Sequence, residues 1–127
     1  MVVDTSGSMS AKQIGMALGS IASYAAAKDV PFVRIIFCDA KATDAGYLAP
    51  EDIAGRVKVT GRGGTILQPG VDCLEQANDF PKDGPILIIT DGEIENDLKI
   101  RREHAFLLPR GNRLPFRARG EVFYFRE

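Results

Sequence analysis

Short apolar runs recur along the chain and predict the strands of a sheet. The run ILIIT at residues 86–90 is the strongest, and a continuous run of this kind is typical of a central strand buried on both faces. Other runs predict a strand that ends at Asp4, one over residues 32–38, and two near the end of the chain, HAFLLP and EVFYF. Residues 40–48 alternate weakly and predict a short strand that turns back at the sheet edge.

Helical patterns alternate with these runs. Residues 10–29 carry apolar residues at steps of three and four, which predicts one helix with Ser10 as its N-cap. Pro50 predicts the start of a single helical turn, and a further helix is expected over residues 69–80. Strands that alternate with helices favour a three-layer, doubly wound α/β domain, with a mostly parallel sheet, helices on both faces and an antiparallel edge strand.

Composition narrows the class of protein. A chain of 127 residues with 45% hydrophobic and 26% charged residues is expected to form one globular domain, residues 1–127. The formal net charge of −1 gives no reason to expect a nucleic acid or an anionic membrane as partner. No apolar stretch approaches the roughly 20 residues of a membrane span, and no signal peptide is recognisable. Cys38 and Cys73 are interpreted as buried free thiols, which favours a reducing, cytoplasmic location.

The first apolar run is short. Only three residues, MVV, precede Asp4, whereas a buried strand usually has about five or six residues. We therefore expect the chain to be the C-terminal part of a longer protein.

Oxygen-bearing side chains follow the predicted strands. Asp4 and Asp91 end two strands of a parallel sheet, so their carboxylates are expected at the same edge, where such folds bind ligands. Ser6 and Ser8 follow Asp4 at alternate positions, and Thr65 follows a pair of glycines in GRGGT. An all-oxygen set with two carboxylates suits a hard divalent cation such as Mg²⁺.

Three of these segments resemble the metal-ion-dependent adhesion site of von Willebrand factor type A (VWA) domains. DTSGS matches the family's D-x-S-x-S motif, GGT is similar to its second-loop threonine, and IITDG to its third-loop aspartate. The resemblance covers residues 1–93. It implies direct coordination of Mg²⁺ by Ser6 and Ser8, with Thr65, Asp4 and Asp91 bound directly or through water, and with Mn²⁺ or Ca²⁺ as substitutes.

The resemblance also implies a function without catalysis. Such a domain would bind a partner protein through an Asp or Glu that completes the metal's coordination. The chain is most similar to bacterial VWA-like domains that follow a metallopeptidase-like region in larger proteins. By analogy, a MoxR-type AAA+ ATPase is a candidate partner.

Other interpretations of the opening segment stay open. DTSGSM is also compatible with an ordinary turn before a capped helix. An aspartic-protease signature would need a different order around Ser6, and a phosphatase would usually carry a second aspartate at that position. A hydrolase in which the metal activates water is the main alternative, although the sequence offers no evident general base.

Further polar residues have both a structural and a functional interpretation. Asp39 and Glu93 are either solvated loop acids or neighbours of the metal ligands. His104, at the start of an apolar run, is expected to be structural. GRGGT lacks the Lys-Ser/Thr ending of a phosphate-binding loop. The basic residues between Lys99 and Arg119 form either a docking segment for an acidic partner or a solvated surface.

Overall fold

A computed structural model describes residues 1–5, 10–39, 41–53 and 66–125 of the chain. The described residues form six strands and three helices. In chain order they are β1 (Val2–Asp4), α1 (Ala11–Ala27), β2 (Val33–Cys38), β3 (Ala42–Leu48), α2 (Pro50–Ile53), α3 (Gln68–Gln76), β4 (Ile86–Ile89), β5 (His104–Pro109) and β6 (Glu121–Phe125).

The strands form one sheet in the order β3-β2-β1-β4-β5-β6. All neighbouring strands are parallel except β2 and β3, which run antiparallel at one edge. The strand at residues 86–90 is central, as its apolar run predicts, although it ends at Ile89. The predicted α/β fold class with an antiparallel edge strand is thus confirmed.

Helix α1 begins where its sequence predicts. The Ser10 hydroxyl accepts a 3.0 Å hydrogen bond from the Gln13 N–H, and the Gln13 side chain accepts one of 3.1 Å from the Ser10 N–H. This reciprocal pair satisfies two backbone donors that the first helical turn leaves free. The helix ends two residues earlier than predicted, and Asp29 then adopts a positive φ of 56°.

Two apolar layers enclose the sheet. One lies under α1 and α2, where Ile14, Leu18 and Ile53 pack against Val3 and Ile89. The other lies under α3, with a core made of buried residues Val2, Ile36, Cys38, Leu67, Val71, Leu74, Ile86, Ile88, Phe106 and Leu108. The alternation of side chains along each strand assigns neighbouring residues such as Val2 and Val3 to opposite layers.

Helix α3 is shorter at its C-terminal end than the sequence predicts. It covers Gln68–Gln76, whereas a helix over residues 69–80 was expected, because Ala77 is already extended (ψ 129°). The following residues are held elsewhere: the Asp79 carbonyl accepts a 2.5 Å hydrogen bond from the Tyr47 hydroxyl. The Asp79 carboxylate lies 2.6 Å from Nη1 of Arg34. These contacts with β2 and β3 outweigh the weak helical preference of residues 77–80.

Arg34 is a buried cation with partners on three sides. Its side chain is 7% exposed, it forms a bidentate pair with Asp44, and its guanidinium stacks on Tyr47 at 5.2 Å. Its Nη1 contacts Asp79 without hydrogen-bond alignment. Hydrogen bonding to Arg34 lowers the pKa of the Asp44 carboxyl. The arrangement joins the antiparallel edge of the sheet to the segment that leaves α3.

The connections after β4 and β5 are both irregular. Residues 90–103 and 110–120 contain no helix, and each returns along the α3 face of the sheet, where Leu98, Ile100 and Phe116 pack against the core. The layer on this side therefore consists of α3 and two extended crossovers.

Both cysteines are free, as predicted, but only Cys38 is buried. Cys73 is half-buried and packs against the core on the α3 side of the sheet. Within the described ranges, no helix combines the length and the apolar character needed to cross a membrane.

Candidate functional site

The point at which the strand order reverses lies between β1 and β4. From β1 the chain crosses to β2 over the α1 face, and from β4 it crosses to β5 over the opposite face. The loops that follow β1 and β4 therefore diverge and leave a crevice at the carboxyl end of the sheet. In doubly wound folds this is where ligands bind.

Asp4 is the last residue of β1 and is completely buried at this crevice. Its Oδ2 accepts a 2.8 Å hydrogen bond from the hydroxyl of Thr90, the first residue after β4. The parallel register of Val3 with Ile89 brings these two side chains together. The Thr90 oxygen also accepts a 3.1 Å hydrogen bond from the Gly92 N–H. One threonine therefore fixes both the Asp4 carboxylate and the turn that contains Asp91.

Asp91 is 4% exposed, and both its carboxylate and its backbone carbonyl accept hydrogen bonds. Its Oδ1 accepts a hydrogen bond of 3.0 Å from the Glu93 N–H, and its carbonyl accepts one of 2.9 Å from the Asn112 amide. Gly92 has a φ of 91°, and a Cβ there would collide with the Arg113 carbonyl. Only glycine fits this turn, because both the backbone conformation and the close crossover exclude a side chain.

Glu95 connects the loop after β4 to the start of α3. Its carboxylate accepts hydrogen bonds from the Leu67 N–H at 2.9 and 3.0 Å and from the Gln68 N–H at 3.0 Å. A carboxylate at this position satisfies free amides of the first helical turn and opposes the positive end of the helix dipole. Glu95 therefore fixes the polypeptide two residues after Thr65.

Ser6, Ser8 and Thr65 lie outside the described residues, but the residues beside them are held close together. Thr5 donates to the Cys38 carbonyl from its N–H (2.8 Å) and from its hydroxyl (3.1 Å). The Ile66 N–H donates to the next carbonyl, that of Asp39, at 3.4 Å. The polypeptide just before Ser6 and just after Thr65 is thus bound to two consecutive residues at the end of β2.

The remaining predicted polar residues differ in their surroundings. Glu93 is exposed, whereas Asp39 is half-buried and accepts a 3.0 Å hydrogen bond from the Lys41 N–H. His104 is the first residue of β5, and its Nδ1 lies 2.8 Å from the Arg102 carbonyl, which is a structural contact. His104 begins its strand at the end opposite to the carboxyl edge that holds Asp4 and Asp91.

The described polar side chains that end β1 and follow β4 all offer oxygen atoms. Two buried carboxylates, Asp4 and Asp91, and the Thr90 hydroxyl come from the ends of adjacent strands. Among the described residues alone, no group of three or more His, Cys, Asp or Glu side chains could hold a metal ion. Two carboxylates next to hydroxyl-rich loops fit a hard cation that keeps several water or hydroxyl ligands, as Mg²⁺ does. They do not fit a cation that needs thiolate or imidazole ligands.

A model of the VWA-like domain family (DUF2201) matches residues 1–104. The chain belongs to this VWA-like domain family. The match includes Asp4, Asp91 and every element from β1 to β4, and therefore both strands that border the crevice. Comparisons with curated proteins and with solved structures found no match.

Sequence analysis of this VWA-like chain missed three residues that shape the crevice: Thr90, Glu95 and Asn112. Thr90 was assigned only to the apolar strand. Its position directly before Asp91, opposite Asp4 in a parallel register, is a signal that could have identified it. Glu95 contacts Leu67, 28 positions earlier, and Asn112 contacts Asp91, 21 positions earlier. No local sequence pattern identifies either residue.

Proposed function

We propose that this VWA-like domain is a Mg²⁺-dependent protein-binding module without catalytic activity of its own. The observation that carries the proposal is the pair of buried carboxylates, Asp4 and Asp91, at the ends of adjacent parallel strands where the strand order reverses. Hydrogen bonds from the Thr90 hydroxyl and the Glu93 N–H offset part of the cost of burying these two charges, and a bound cation would offset more of it. The burial of these two carboxylates therefore supports a cation-binding site better than another function.

Each proposed ligand has a distinct role. Ser6 and Ser8 would coordinate the ion through their hydroxyls, and Thr65 would do so directly or through water. Asp4 and Asp91 would provide the negative charge, bound directly or through water. Thr90 holds Asp4 in one orientation, and the hydrogen bond from the Glu93 N–H does the same for Asp91.

A bound Mg²⁺ would supply an open coordination position to an incoming carboxylate. Neutral hydroxyl ligands cancel little of the metal's charge, so a site with few carboxylates retains affinity for another acid. The proposed partner is a protein that offers an Asp or Glu side chain. A MoxR-type AAA+ ATPase is a candidate by family analogy.

The metal site is tested by thermal and urea unfolding of three proteins with Mg²⁺ and with EDTA. For the wild type, Mg²⁺ at ten times the half-saturating concentration should add about 1 to 2 kcal/mol to the free energy of unfolding. Asp4→Asn keeps the size of the side chain but removes its charge, and should lose this gain. Asp83→Asn, which removes an exposed carboxylate from the loop before β4, should keep it. An equal Mg²⁺ response in all three proteins would mean that Asp4 is not a ligand.

Partner binding is tested by affinity purification on the immobilised domain, with Mg²⁺ or with EDTA in the buffer. The proposal predicts a protein that elutes with EDTA, is absent from the Asp4→Asn column, and loses binding when one of its own acidic residues is neutralised. Release of phosphate or cleavage of peptide by the wild type that disappears in Ser8→Ala would instead favour the hydrolase.

A further inference from the structure

The two irregular crossovers form the walls of a cleft on the α3 face. Residues 96–101 make one wall and residues 116–119 the other, and they enclose a cavity of about 660 Å³. Phe106 is at its base, and its ring meets that of Phe116 edge-on at a centroid distance of 5.8 Å. The cleft is separate from the crevice that holds Asp4 and Asp91, because it reaches His104 at the opposite end of β5.

Both walls alternate between inward apolar and outward charged side chains. Leu98 and Ile100 pack on the core, while Lys99 and Arg101 are exposed. In the other wall Phe116 and Ala118 pack inward, and their neighbours Arg117 and Arg119 are exposed. Successive side chains of an extended backbone point to opposite faces. Because the apolar residues of each wall contact the core, the cations between them face solvent.

The cleft is therefore strongly cationic. Lys99, Arg101, Arg117 and Arg119 line it, against Asp97 as the single carboxylate of the lining. None of these four cations forms an ion pair within the part of the chain that the structure describes. The two other arginines with described side-chain contacts differ: Arg34 is paired with carboxylates, and Arg102 donates to the carbonyls of Pro81, Gly84 and Glu75.

The backbone of the first wall is fixed to α3. The Gln68 side chain accepts a 2.8 Å hydrogen bond from the Lys99 N–H and donates one of 2.9 Å to the Lys99 carbonyl. The Arg101 N–H donates to the Glu75 carboxylate at 3.2 Å. On the other wall, a Cβ at Gly120 would collide with the His104 carbonyl. The cations are thus carried on preorganised backbone, which lowers the entropic cost of binding a ligand.

We propose that this cleft binds an acidic peptide segment of a partner protein, in which an apolar side chain is flanked by Asp and Glu residues. The cations on both walls complement the acids, and the half-buried side chains of Leu98, Ile100 and Phe116 provide an apolar floor between them. A long polyanion such as a nucleic acid fits less well, because the chain as a whole carries a net charge of −1. This site is independent of the proposed metal site.

The probe is a fluorescein-labelled peptide with three aspartates on each side of a central Leu-Phe pair, titrated by fluorescence anisotropy in EDTA. Arg101→Gln/Arg119→Gln removes one cation from each wall and should weaken binding by at least about fivefold. Lys82→Gln/Arg110→Gln removes two exposed cations outside the cleft and should change binding by less than about twofold. Replacing Leu-Phe in the probe by Gly-Gly should weaken binding to the wild type by roughly fivefold or more.

Several results would overturn the proposal. One is the absence of peptide binding up to millimolar concentration, and another is an equal loss of affinity in the two double variants. A third is a Gly-Gly probe that binds as tightly as the Leu-Phe probe, together with competition by pyrophosphate or single-stranded RNA. Binding that requires Mg²⁺ and disappears in Asp4→Asn would assign the peptide to the metal site instead. Because the titration is done in EDTA, failure of the metal proposal leaves the expected result unchanged.

Discussion

Thr90 and Asp4 are joined across the switch point of the sheet by a hydrogen bond of 2.8 Å between the Thr90 hydroxyl and Asp4 Oδ2. Both side chains are completely buried, and they are 86 positions apart in the sequence. The contact couples the first strand to the central strand at the point where the candidate metal ligands begin. A buried carboxylate and a buried amide, that of Gly92, both form hydrogen bonds with this hydroxyl.

Replacement of Thr90 by valine should destabilise the fold, although the two side chains have nearly the same shape. Thr90→Val leaves the Gly92 N–H without its acceptor and deprives Asp4 of a donor, which should cost about 1 to 3 kcal/mol in urea unfolding. Thr43→Val on the exposed edge strand β3 is the matched control and should stay within roughly 0.5 kcal/mol of wild type. Similar losses in both variants would mean that the buried hydroxyl has no special role.

Glu95 should support both the stability of α3 and the geometry beside Thr65. Glu95→Ala removes the acceptor of three backbone hydrogen-bond contacts and should lower the free energy of unfolding by about 1 to 2 kcal/mol. Glu93→Ala removes an exposed acid from the same loop and should have little effect. If the metal proposal is correct, Glu95→Ala should also weaken Mg²⁺ binding measured by calorimetry. Unchanged stability and Mg²⁺ affinity would contradict the assignment.

The pair formed by Asp44 and Arg34 predicts a loss of stability in acid. Hydrogen bonding to Arg34 lowers the pKa of Asp44 in the folded state below its ordinary value of 3.8. The stabilisation is therefore fully present above that value and disappears as the pH falls through the lower pKa of the folded state. In urea unfolding between pH 6 and pH 2, the advantage of wild type over Asp44→Asn should shrink as the pH falls. An advantage that stays constant over this range would rule out the linkage.

Two glycines should respond in opposite directions to substitution by alanine. A Cβ at Gly70 in α3 would collide with the Cys38 thiol and lie 3.1 Å from Val2 Cγ1, so Gly70→Ala should cost about 1 to 3 kcal/mol. Gly15 is an exposed residue of α1 with no atom within 4 Å of the same position, and Gly15→Ala should stabilise by about 0.5 to 1 kcal/mol.

A double variant tests the cause of the Gly70 effect. Cys38→Ala removes the sulfur, so Gly70→Ala should cost measurably less in that background than in wild type. Equal costs in the two backgrounds would show that the thiol is not what opposes the new methyl group. Chemical denaturation of the four proteins of this cycle provides the measurement.

Local sequence patterns predict the layers of the fold and the edge of the sheet where the crevice lies. Apolar runs fixed which segments form strands, and helical periodicity with a Ser10 capping box fixed where α1 begins. Because parallel strands point the same way, Asp4 and Asp91 had to emerge at one edge. The DTSGS, GGT and IITDG segments carried the VWA resemblance that the family match confirmed.

The groups that support these elements come from distant parts of the chain, and only the folded arrangement identifies them. Helix α3 ends at Gln76 because the residues after it contact Arg34 and Tyr47, on strands well before it in the chain. Thr90 and Glu95 have their roles through partners 86 and 28 positions away. The cationic cleft arises only because two crossovers pack side by side on one face. Such contacts depend on how the strands are ordered and paired, and local propensity and periodicity carry no information about that order.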